Sequence, residues 1–262
     1  MRVLCLTPNP VRERKFSFVS ERVEISAGGK GRNVVRQLRA WGIHAISKTI
    51  FDALASGSDV GSDLRERMGW ALVREGEERI DFFTMDPEIN LTDWARIGKY
   101  WKQVLRKGDC WVVAGSSATG WPRGWWKKLI GDLQKKGVSV LVDSRGALMR
   151  EAVAAGADWI KCNLAEAEET TGLKGVDRCI RSLKGDGTTG VVVTLGKDGL
   201  AAEVNGTPFF VPAPKVRVRD ATGSGDVVTA ALIYGEILNW PMEQTFKQAV
   251  EDGTLHAKGN IL

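Results

Sequence analysis

Short apolar strand segments alternate with amphipathic helical segments along nearly the whole of this chain of 262 residues. Val3–Thr7, Cys110–Ala114 and Val138–Val142 have the pattern of buried strands, and Thr92–Leu105 has helical spacing with Thr92 as its N-cap. This order predicts one α/β domain over residues 1–262, with helices on both faces of a mostly parallel, doubly wound sheet. Because such sheets place ligand groups at the carboxyl ends of their strands, we expect the functional residues there.

Two regions depart from this regular order. Phe16–Val19 and Val23–Ile25 alternate with a period of two, which predicts a short hairpin lying off the main sheet. Between residues 43 and 85 we predict only a short helix that ends at Met68 and a strand at Arg79–Thr84. A further helix is predicted at Pro122–Leu133.

Composition narrows the class of protein. With 43% apolar and 26% charged residues, the chain resembles an ordinary globular protein, and no apolar segment is long enough to cross a bilayer. The first residues read as a strand and not as a signal peptide, so a cytoplasmic location is expected. The four cysteines are scattered and only two histidines accompany them, which predicts buried core thiols.

The net charge of +5 suits an anionic partner. The basic residues are dispersed along the chain, which favours a phosphorylated small molecule over nucleic acid, and neither a nucleic-acid nor a membrane partner is predicted. Three tryptophans, Trp121, Trp125 and Trp126, cluster around a proline and a glycine. They could form a ligand platform or pack against a helix start.

The first candidate functional segment is Asp220–Asp226, which leads directly into the apolar run Val227–Leu232. Its glycines predict a turn at the start of a helix, where unpaired N–H groups and the helix dipole favour an anion. Asp226 lies in the first turn of that helix. Its carboxylate could cap the helix, or it could accept a proton from a hydroxyl that attacks a phosphate.

A second glycine turn, Ala27–Asn33, opens another predicted helix that ends near Gly42. Its glycines would let a ligand approach the backbone, while Lys30 would provide a cation and Asn33 an amide. A tight turn between a hairpin and a helix is the structural alternative.

Polar side chains also follow the strands between these two turns. Asp143 and Ser144 come directly after one strand, and Asn163 and Glu166 follow the next. Asn163 and Glu166 could form a capping box, or they could serve a phosphate-bound Mg²⁺ and its waters. The strand Val191–Leu195 then runs into a Gly-rich turn.

Together these segments resemble the ribokinase or PfkB family of carbohydrate kinases, and within it the branch of 1-phosphofructokinase and tagatose-6-phosphate kinase. The matching segments follow the family's order along nearly the whole chain: Thr7–Pro10, Gly28–Asn33, Lys161–Glu166, Val193–Gly196 and Asp220–Asp226. The resemblance implies a ribokinase-like three-layer α/β/α fold with a small β lid, whose elements would lie at approximately residues 12–26 and 70–90. This lid is expected to be reduced, because the chain is compressed between Glu78 and Asn90.

The resemblance also implies transfer of the γ-phosphoryl group of ATP to a sugar hydroxyl, with ATP and Mg²⁺ as cofactors and a monovalent cation as a further candidate. Asp226 would be the catalytic base, and Gly223, Ser224 and Gly225 would form the anion hole. The residues implied for the sugar are Glu13, Gly28, Gly29, Lys30, Asn33 and Arg79. Those implied for the nucleotide are Lys161, Asn163, Thr194, Gly196, Gly199, Gly223, Gly225 and Asn260, and Glu166 would meet Mg²⁺ through water or phosphate. Glu13 stands where the family usually has aspartate.

Three hypotheses about function remain at this point. The first is a kinase for a sugar phosphate of the fructose-1-phosphate or tagatose-6-phosphate type, with Lys30, Arg79 and either Arg12 or Arg14 meeting the substrate phosphate. The second is a catalytically impaired relative that binds nucleotide or sugar and acts as a regulator. The third is a kinase for a free sugar or a nucleoside, whose base the tryptophans could hold. A homodimer is a candidate assembly, although a short lid would offer it little surface.

Overall fold

A computed structural model describes residues 1–17, 22–55, 67–73 and 80–259. The described strands form two sheets. The strands of the main sheet are β1 Val3–Thr7, β4 Ala45–Thr49, β7 Cys110–Ala114, β8 Ser139–Asp143, β9 Trp159–Asn163, β10 Gly190–Thr194, β11 Leu200–Val204 and β12 Thr207–Val211. The strands of the smaller sheet are β2 Val11–Ser17, β3 Arg22–Gly28, β5 Arg67–Val73 and β6 Ile80–Phe83.

The main sheet has the strand order β12-β11-β10-β9-β8-β7-β1-β4. All neighbours from β10 to β4 run parallel, and β11 and β12 extend one edge as an antiparallel hairpin. Residues of the inner strands β1, β7, β8 and β10 are buried almost throughout, as expected for strands covered on both faces, whereas the edge strand β4 is only partly buried. The predicted mostly parallel α/β fold is confirmed.

The described helices are α1 Lys30–Ala40, α2 Ile50–Ala55, α3 Leu91–Val104, α4 Trp125–Lys135, α5 Gly146–Ala155, α6 Leu164–Thr171, α7 Val176–Leu183, α8 Ser224–Ile237 and α9 Met242–Ala257. They cover the two faces of the main sheet unequally. On one face α1, α8 and α9 build a core that includes Val34, Ile233 and Phe246. On the other face α2 to α7 build a core that includes Ile97 and Leu129. Helices such as α1 and α4 bury one apolar face, whereas α8 is buried over all of Asp226–Ile233.

The smaller sheet has the order β3-β2-β5-β6 and follows β1 directly along the chain. β2 pairs with β3 antiparallel and with β5 parallel. The described parts of the predicted hairpin lie in β2 and β3. The short helix predicted to end at Met68 is wrong at its described end, because Arg67 and Met68 belong to β5; residues 56–66 lie outside the described chain. The strand predicted at Arg79–Thr84 corresponds to β6.

Two predicted helix starts are corrected by the contacts that cap them. The N-cap of α3 is Asn90 and not Thr92, because the Asn90 side chain accepts a hydrogen bond of 2.9 Å from the amide of Asp93. α4 begins three residues later than predicted. Its first amides, including that of Trp126 at 2.8 Å, donate to the carboxylate of Glu151 in α5. That cap comes from another helix, so the local sequence of α4 did not indicate it.

The tryptophan cluster serves packing, which was one of the two alternatives. Trp94 and Trp126 are fully buried, and their ring centroids lie 6.0 Å apart, with Trp125 and Trp121 in edge contact with Trp94. The thiols of all four cysteines are likewise buried in the two cores, as predicted. Among the described residues, no helix is both long and apolar enough to span a membrane.

Candidate active site

A cleft of about 1040 Å³ opens at the carboxyl ends of β1, β7, β8, β9 and β10. Val11, Arg67 and Phe83 of the smaller sheet contribute to its wall. The strand order reverses here, because the chain leaves β1 towards β4 on one side and continues from β7 on the other. Such a reversal is the usual position of a ligand crevice in an open α/β sheet.

The two glycine turns meet in this cleft. Asp226 lies in the first turn of α8, is only 6% exposed, and accepts a hydrogen bond of 2.7 Å at Oδ2 from the side-chain amide of Asn33. Among the described residues, no protein group bonds to its other carboxylate oxygen, Oδ1. Asn33 therefore fixes the orientation of the carboxylate and leaves one oxygen free.

Glycines are needed in the Gly29–Gly31 turn because it packs directly on the end of β1. A Cβ atom on Gly29 would lie 2.5 Å from the methyl carbon of Thr7, and Gly29 has a φ of +115°. A Cβ atom on Gly31 would lie 2.9 Å from the carbonyl oxygen of Leu6. The close approach brings Lys30 and Asn33 into the cleft.

A buried cluster of charges lies beside Asp226. Asp143, which is 0% exposed, accepts hydrogen bonds from Lys161 Nζ at 2.9 Å, from Lys30 Nζ at 3.1 Å and from the Thr229 hydroxyl at 2.6 Å. The Nζ atom of Lys30 also lies 2.9 Å from Oε1 of Glu166. The side chain of Lys30 therefore bridges two strand ends, and this holds its ammonium group inside the cleft.

These contacts shift the pKa values of three groups in the cluster. Burial alone would raise the pKa of Asp143, but the charges of Lys161 and Lys30 bring it down to about 2. Burial would lower the pKa of Lys30, yet the neighbouring carboxylates raise it above the usual lysine value. For Asp226, burial and then the charge of Asp143 raise the pKa to about 6, against the opposing effects of the two lysines and Asn33. A carboxylate with this pKa is ionised at neutral pH and accepts a proton readily.

The turn before α8 leaves some backbone donors for a ligand. The amide of Ser224 donates to Ala221 and that of Asp226 to Gly223. Among the described residues, the amides of Gly223 and Gly225 have no protein acceptor. The Ser224 hydroxyl is buried and has no hydrogen-bond partner within the described part of the chain. Two of the three predicted anion-hole amides are thus available at a helix N-terminus.

On the opposite side of the cleft, Asn163 and Glu166 form the capping box considered above. The Asn163 side chain accepts from the amide of Glu166 at 2.8 Å, and Glu166 Oε2 accepts from the amide of Asn163 at 2.9 Å. Oε1 of Glu166 still reaches Lys30, so capping does not consume the whole carboxylate. Thr194, Gly196 and Gly199 line the same side.

Several residues predicted for the site are not brought into it or lie outside the described chain. Arg12 and Arg14 are exposed on β2 and are absent from the cleft wall. The backbone of Glu13 lies on β2, opposite Ser26 of β3, and its side chain is outside the described part of the structure. Gly28 ends β3, while Arg79 and Asn260 lie outside the described residues.

The structure adds residues that the sequence did not single out. Arg67 lines the cleft with its guanidinium 4.2 Å from the ring centroid of Phe83, and its Nη1 lies 3.1 Å from Oδ1 of Asp86. The same Asp86 oxygen accepts from the side-chain amide of Asn9 at 2.8 Å. Asn9 and Asp143 stand in recognisable strand-end segments, but Arg67 carried no sequence signal.

The residues of the cleft could also hold Mg²⁺ together with the phosphates of a substrate. Among the described residues, no group of three or more His, Cys, Asp or Glu could hold a metal alone. Mg²⁺ in phosphoryl-transfer sites typically needs only one or two carboxylates besides the phosphates of the substrate. Glu166, at the edge of the cleft, offers one such carboxylate.

Comparison with known proteins agrees with this site. The model of the pfkB family of carbohydrate kinases matches residues 12–257. The chain therefore belongs to the pfkB family and is a carbohydrate kinase. Members of this family use ATP and Mg²⁺.

Solved structures show the same fold. Phosphofructokinase-2 from Escherichia coli in complex with fructose-6-phosphate is 21% identical, with 98% of this chain and 93% of that chain covered and a TM-score of 0.80. A complex of that enzyme with potassium gives 20% identity, 98% and 93% coverage and a TM-score of 0.81. A possible 1-phosphofructokinase from Thermotoga maritima gives 18% identity, 98% and 93% coverage and a TM-score of 0.80.

Asp226→Asn is predicted to stabilise the protein at pH 8. An ionised Asp226 with a pKa of about 6 in the folded protein, instead of 3.8, costs roughly 3 kcal/mol of folding stability above pH 6. The raised pKa favours the protonated form, so this cost shrinks as the pH falls from 6 to 4. Urea unfolding of both proteins should therefore show a gain for the variant at pH 8 that is largely gone at pH 4.

Asp143→Asn is the matched comparison, with the opposite sign. The pKa of Asp143 is depressed to about 2, so its ionised form contributes stability above pH 4 that is lost as the pH falls towards 2. Its removal leaves two lysines without their shared partner and should cost roughly 3–5 kcal/mol at pH 8. Equal destabilisation by both substitutions would contradict the assignment of the charges.

Proposed function

We propose that this kinase transfers the γ-phosphoryl group of ATP to a hydroxyl of a sugar phosphate of the fructose-1-phosphate or tagatose-6-phosphate type, with Asp226 as the general base. The observation that carries the proposal is a buried carboxylate, oriented by Asn33, in the first turn of a helix that faces the cleft. The similar structure of E. coli phosphofructokinase-2, solved with fructose-6-phosphate, supports a sugar phosphate as the acceptor.

In the proposed reaction, the acceptor hydroxyl gives its proton to Oδ1 of Asp226, the oxygen that Asn33 leaves free. The hydroxyl oxygen forms a bond to the γ-phosphorus, and the bond from that phosphorus to the β,γ-bridging oxygen breaks, which releases ADP. The reaction requires alignment and stabilisation of negative charge more than covalent assistance. The free amides of Gly223 and Gly225 are suited to the transferring phosphoryl group.

Lys30 lines the cleft and is our candidate for a second source of positive charge at the transferring group. Its contacts with Asp143 and Glu166 fix the position of its ammonium group. When bound, Mg²⁺ would neutralise charge on the ATP phosphates, and Glu166 is the residue that would hold it. Asn163, Thr194, Gly196 and Gly199 would line the nucleotide side, together with α9.

Other parts of the assignment stay predictions. Lys161 is buried against Asp143, so we propose that it acts on the nucleotide phosphates through its charge and not through direct contact.

We also propose that a monovalent cation activates the enzyme, which the potassium complex of the E. coli enzyme supports. Comparing the activity in KCl with that in a tetramethylammonium salt tests this proposal. We propose a homodimer because two aromatic side chains that pair across β5 and β6, Trp70 and Phe82, are 40% and 53% exposed and offer an apolar surface. Sedimentation equilibrium tests this assembly.

Asp226→Asn is expected to lower kcat by roughly 10² to 10⁴-fold, because a positioned base contributes that much. ADP release is measured with ATP, Mg²⁺ and a panel of phosphorylated and free sugars. For the wild type, log kcat/KM should fall with unit slope below pH 6, since Asp226 must be ionised in the free enzyme.

Asp252→Asn is the matched control for this substitution. Asp252 is a second buried aspartate with a raised pKa, but it lies on α9 outside the cleft wall. Its variant should keep both the turnover and the acid limb of the wild type. Turnover that survives in Asp226→Asn would reject Asp226 as the base, and turnover of free sugars alone would reject the sugar-phosphate acceptor.

Arg67→Gln tests where the phosphate of the acceptor binds. Arg67 is the cleft arginine that Asp86 and Phe83 hold in place, and we propose that it binds this phosphate. Charge-assisted hydrogen bonds contribute about 1.5–3 kcal/mol, so KM for the sugar phosphate should rise roughly 10 to 100-fold while KM for ATP stays unchanged. Arg181→Gln removes an exposed arginine on α7 and controls for net charge. An unchanged acceptor KM in Arg67→Gln would reject this role.

A further inference from the structure

The last turn of α9 makes hydrogen bonds to the loop that precedes α8, the helix that carries Asp226. The carbonyl oxygen of Ala257 accepts from the amides of Arg219 at 2.8 Å and Asp220 at 3.2 Å. One residue earlier on the helix, Nε2 of His256 lies 2.9 Å from the carbonyl oxygen of Thr222. A carbonyl oxygen can only accept, so Nε2 carries the proton and donates it.

This side-chain bond acts on the peptide group that joins Thr222 to Gly223. A peptide group is planar, and in a trans peptide its C=O and N–H point in opposite directions. No described peptide bond in this protein is cis. Holding the Thr222 carbonyl towards His256 therefore directs the Gly223 N–H away from His256.

The Gly223 N–H is the donor that the proposed reaction needs. Gly223 lines the cleft whereas His256 does not, and among the described residues the Gly223 amide has no protein acceptor. Pointing away from His256, this N–H is free for a ligand in the cleft.

Glycine makes such a restraint necessary. Gly223 has a φ of +84°, and a glycine adopts positive and negative φ with similar ease. The peptide before it can therefore rotate, which would exchange the directions of the Thr222 C=O and the Gly223 N–H. The imidazole also packs on Gly223, since a Cβ atom there would lie 3.1 Å from Nε2 of His256. A side chain at this position would therefore require the ring to move by a few tenths of an ångström, in addition to the strain of the positive φ.

We propose that His256 is a positioning residue for phosphoryl transfer: its Nε2–H holds the Thr222 carbonyl so that the Gly223 N–H stays directed at the transferring phosphoryl group. This inference rests on the proposed function, in which that amide belongs to the anion hole. It adds a residue of α9 that does not itself touch the substrate.

Two polar substitutions separate the hydrogen bond from mere packing. The side-chain amide nitrogen of Gln reaches about as far as Nε2 of histidine, whereas that of Asn reaches only as far as Nδ1. His256→Gln can therefore keep the bond to Thr222, and His256→Asn loses it. Removing an anion-hole donor costs roughly 10² to 10³-fold in kcat, and a misdirected donor retains part of its effect. We expect kcat to fall at least 10-fold in His256→Asn and to stay within about 3-fold of the wild type in His256→Gln.

The division between kcat and KM distinguishes positioning from a structural role. Because the interaction strengthens in the transition state, KM for ATP and for the acceptor should change little in either variant. Binding of ADP with aluminium fluoride and the acceptor, a mimic of the transition state, should weaken in His256→Asn by the same factor as kcat. Binding of ADP alone should not change. Gln248 lies on the same helix, and among the described residues its side chain bonds only to Asp252, so Gln248→Leu should behave as the wild type.

Wild-type kcat in His256→Asn, or an equal loss in the Asn and Gln variants, would overturn the proposal. If a variant is too unstable to assay at 25 °C, as thermal unfolding will show, the same comparison is made at lower temperature with the wild type. Absence of turnover by the wild type on every acceptor would reject the proposed function itself, and this role of His256 with it.

Discussion

The candidate site depends on one buried carboxylate. Asp143, at the end of β8, binds two ammonium groups and a hydroxyl that arrive from β9, α1 and α8. An unpaired charge in such a place would be very costly, so these three partners must lie where they do. The contact from Thr229 attaches α8 to the end of β8, and the contact from Lys30 attaches α1 to the same point. One interaction thus sets the separation of the two glycine turns.

The same cluster of charges contributes to the raised pKa of Asp226. Lys30 and Lys161 carry two positive charges that Asp143 and Glu166 already balance, so an ionised Asp226 adds an unbalanced negative charge in a buried position. Its carboxylate is therefore a better proton acceptor than a surface aspartate. The gain in reactivity reduces folding stability, which is the usual relation between an active site and the protein around it.

How far the sequence predicted this structure depended on whether the determining contacts were local. The strand predicted at Cys110–Ala114 has the same bounds in the structure, because burial on both faces of a strand leaves a continuous apolar run in the sequence. The capping box at Asn163 was likewise visible, since both of its partners lie within four residues. By contrast, the start of α4 is fixed by Glu151 of another helix, and β5 is fixed by its partner β2, so neither had a local signal.

In the candidate site, too, the features set by local sequence could be predicted and those set by distant contacts could not. The turns that carry Asn33 and Asp226 could be recognised in the sequence, but that their side chains lie 2.7 Å apart is a property of the fold. Arg67 contacts Asp86 and His256 contacts Thr222 across 19 and 34 residues of sequence, and neither residue stood in a recognisable motif. The candidate phosphate ligands Arg12 and Arg14 had the right charge, yet the pleat of β2 leaves them exposed.

Asp226 is a buried carboxylate with a raised pKa, suited to accept a proton. Its pKa can be measured directly by following the side-chain ¹³C resonance of ¹³C-labelled aspartate during a pH titration of the protein without substrates, with Asp226→Asn to assign the signal. We expect a transition near pH 6 that is absent in the variant. A transition below about pH 4.5, in the range of ordinary aspartates, would contradict it.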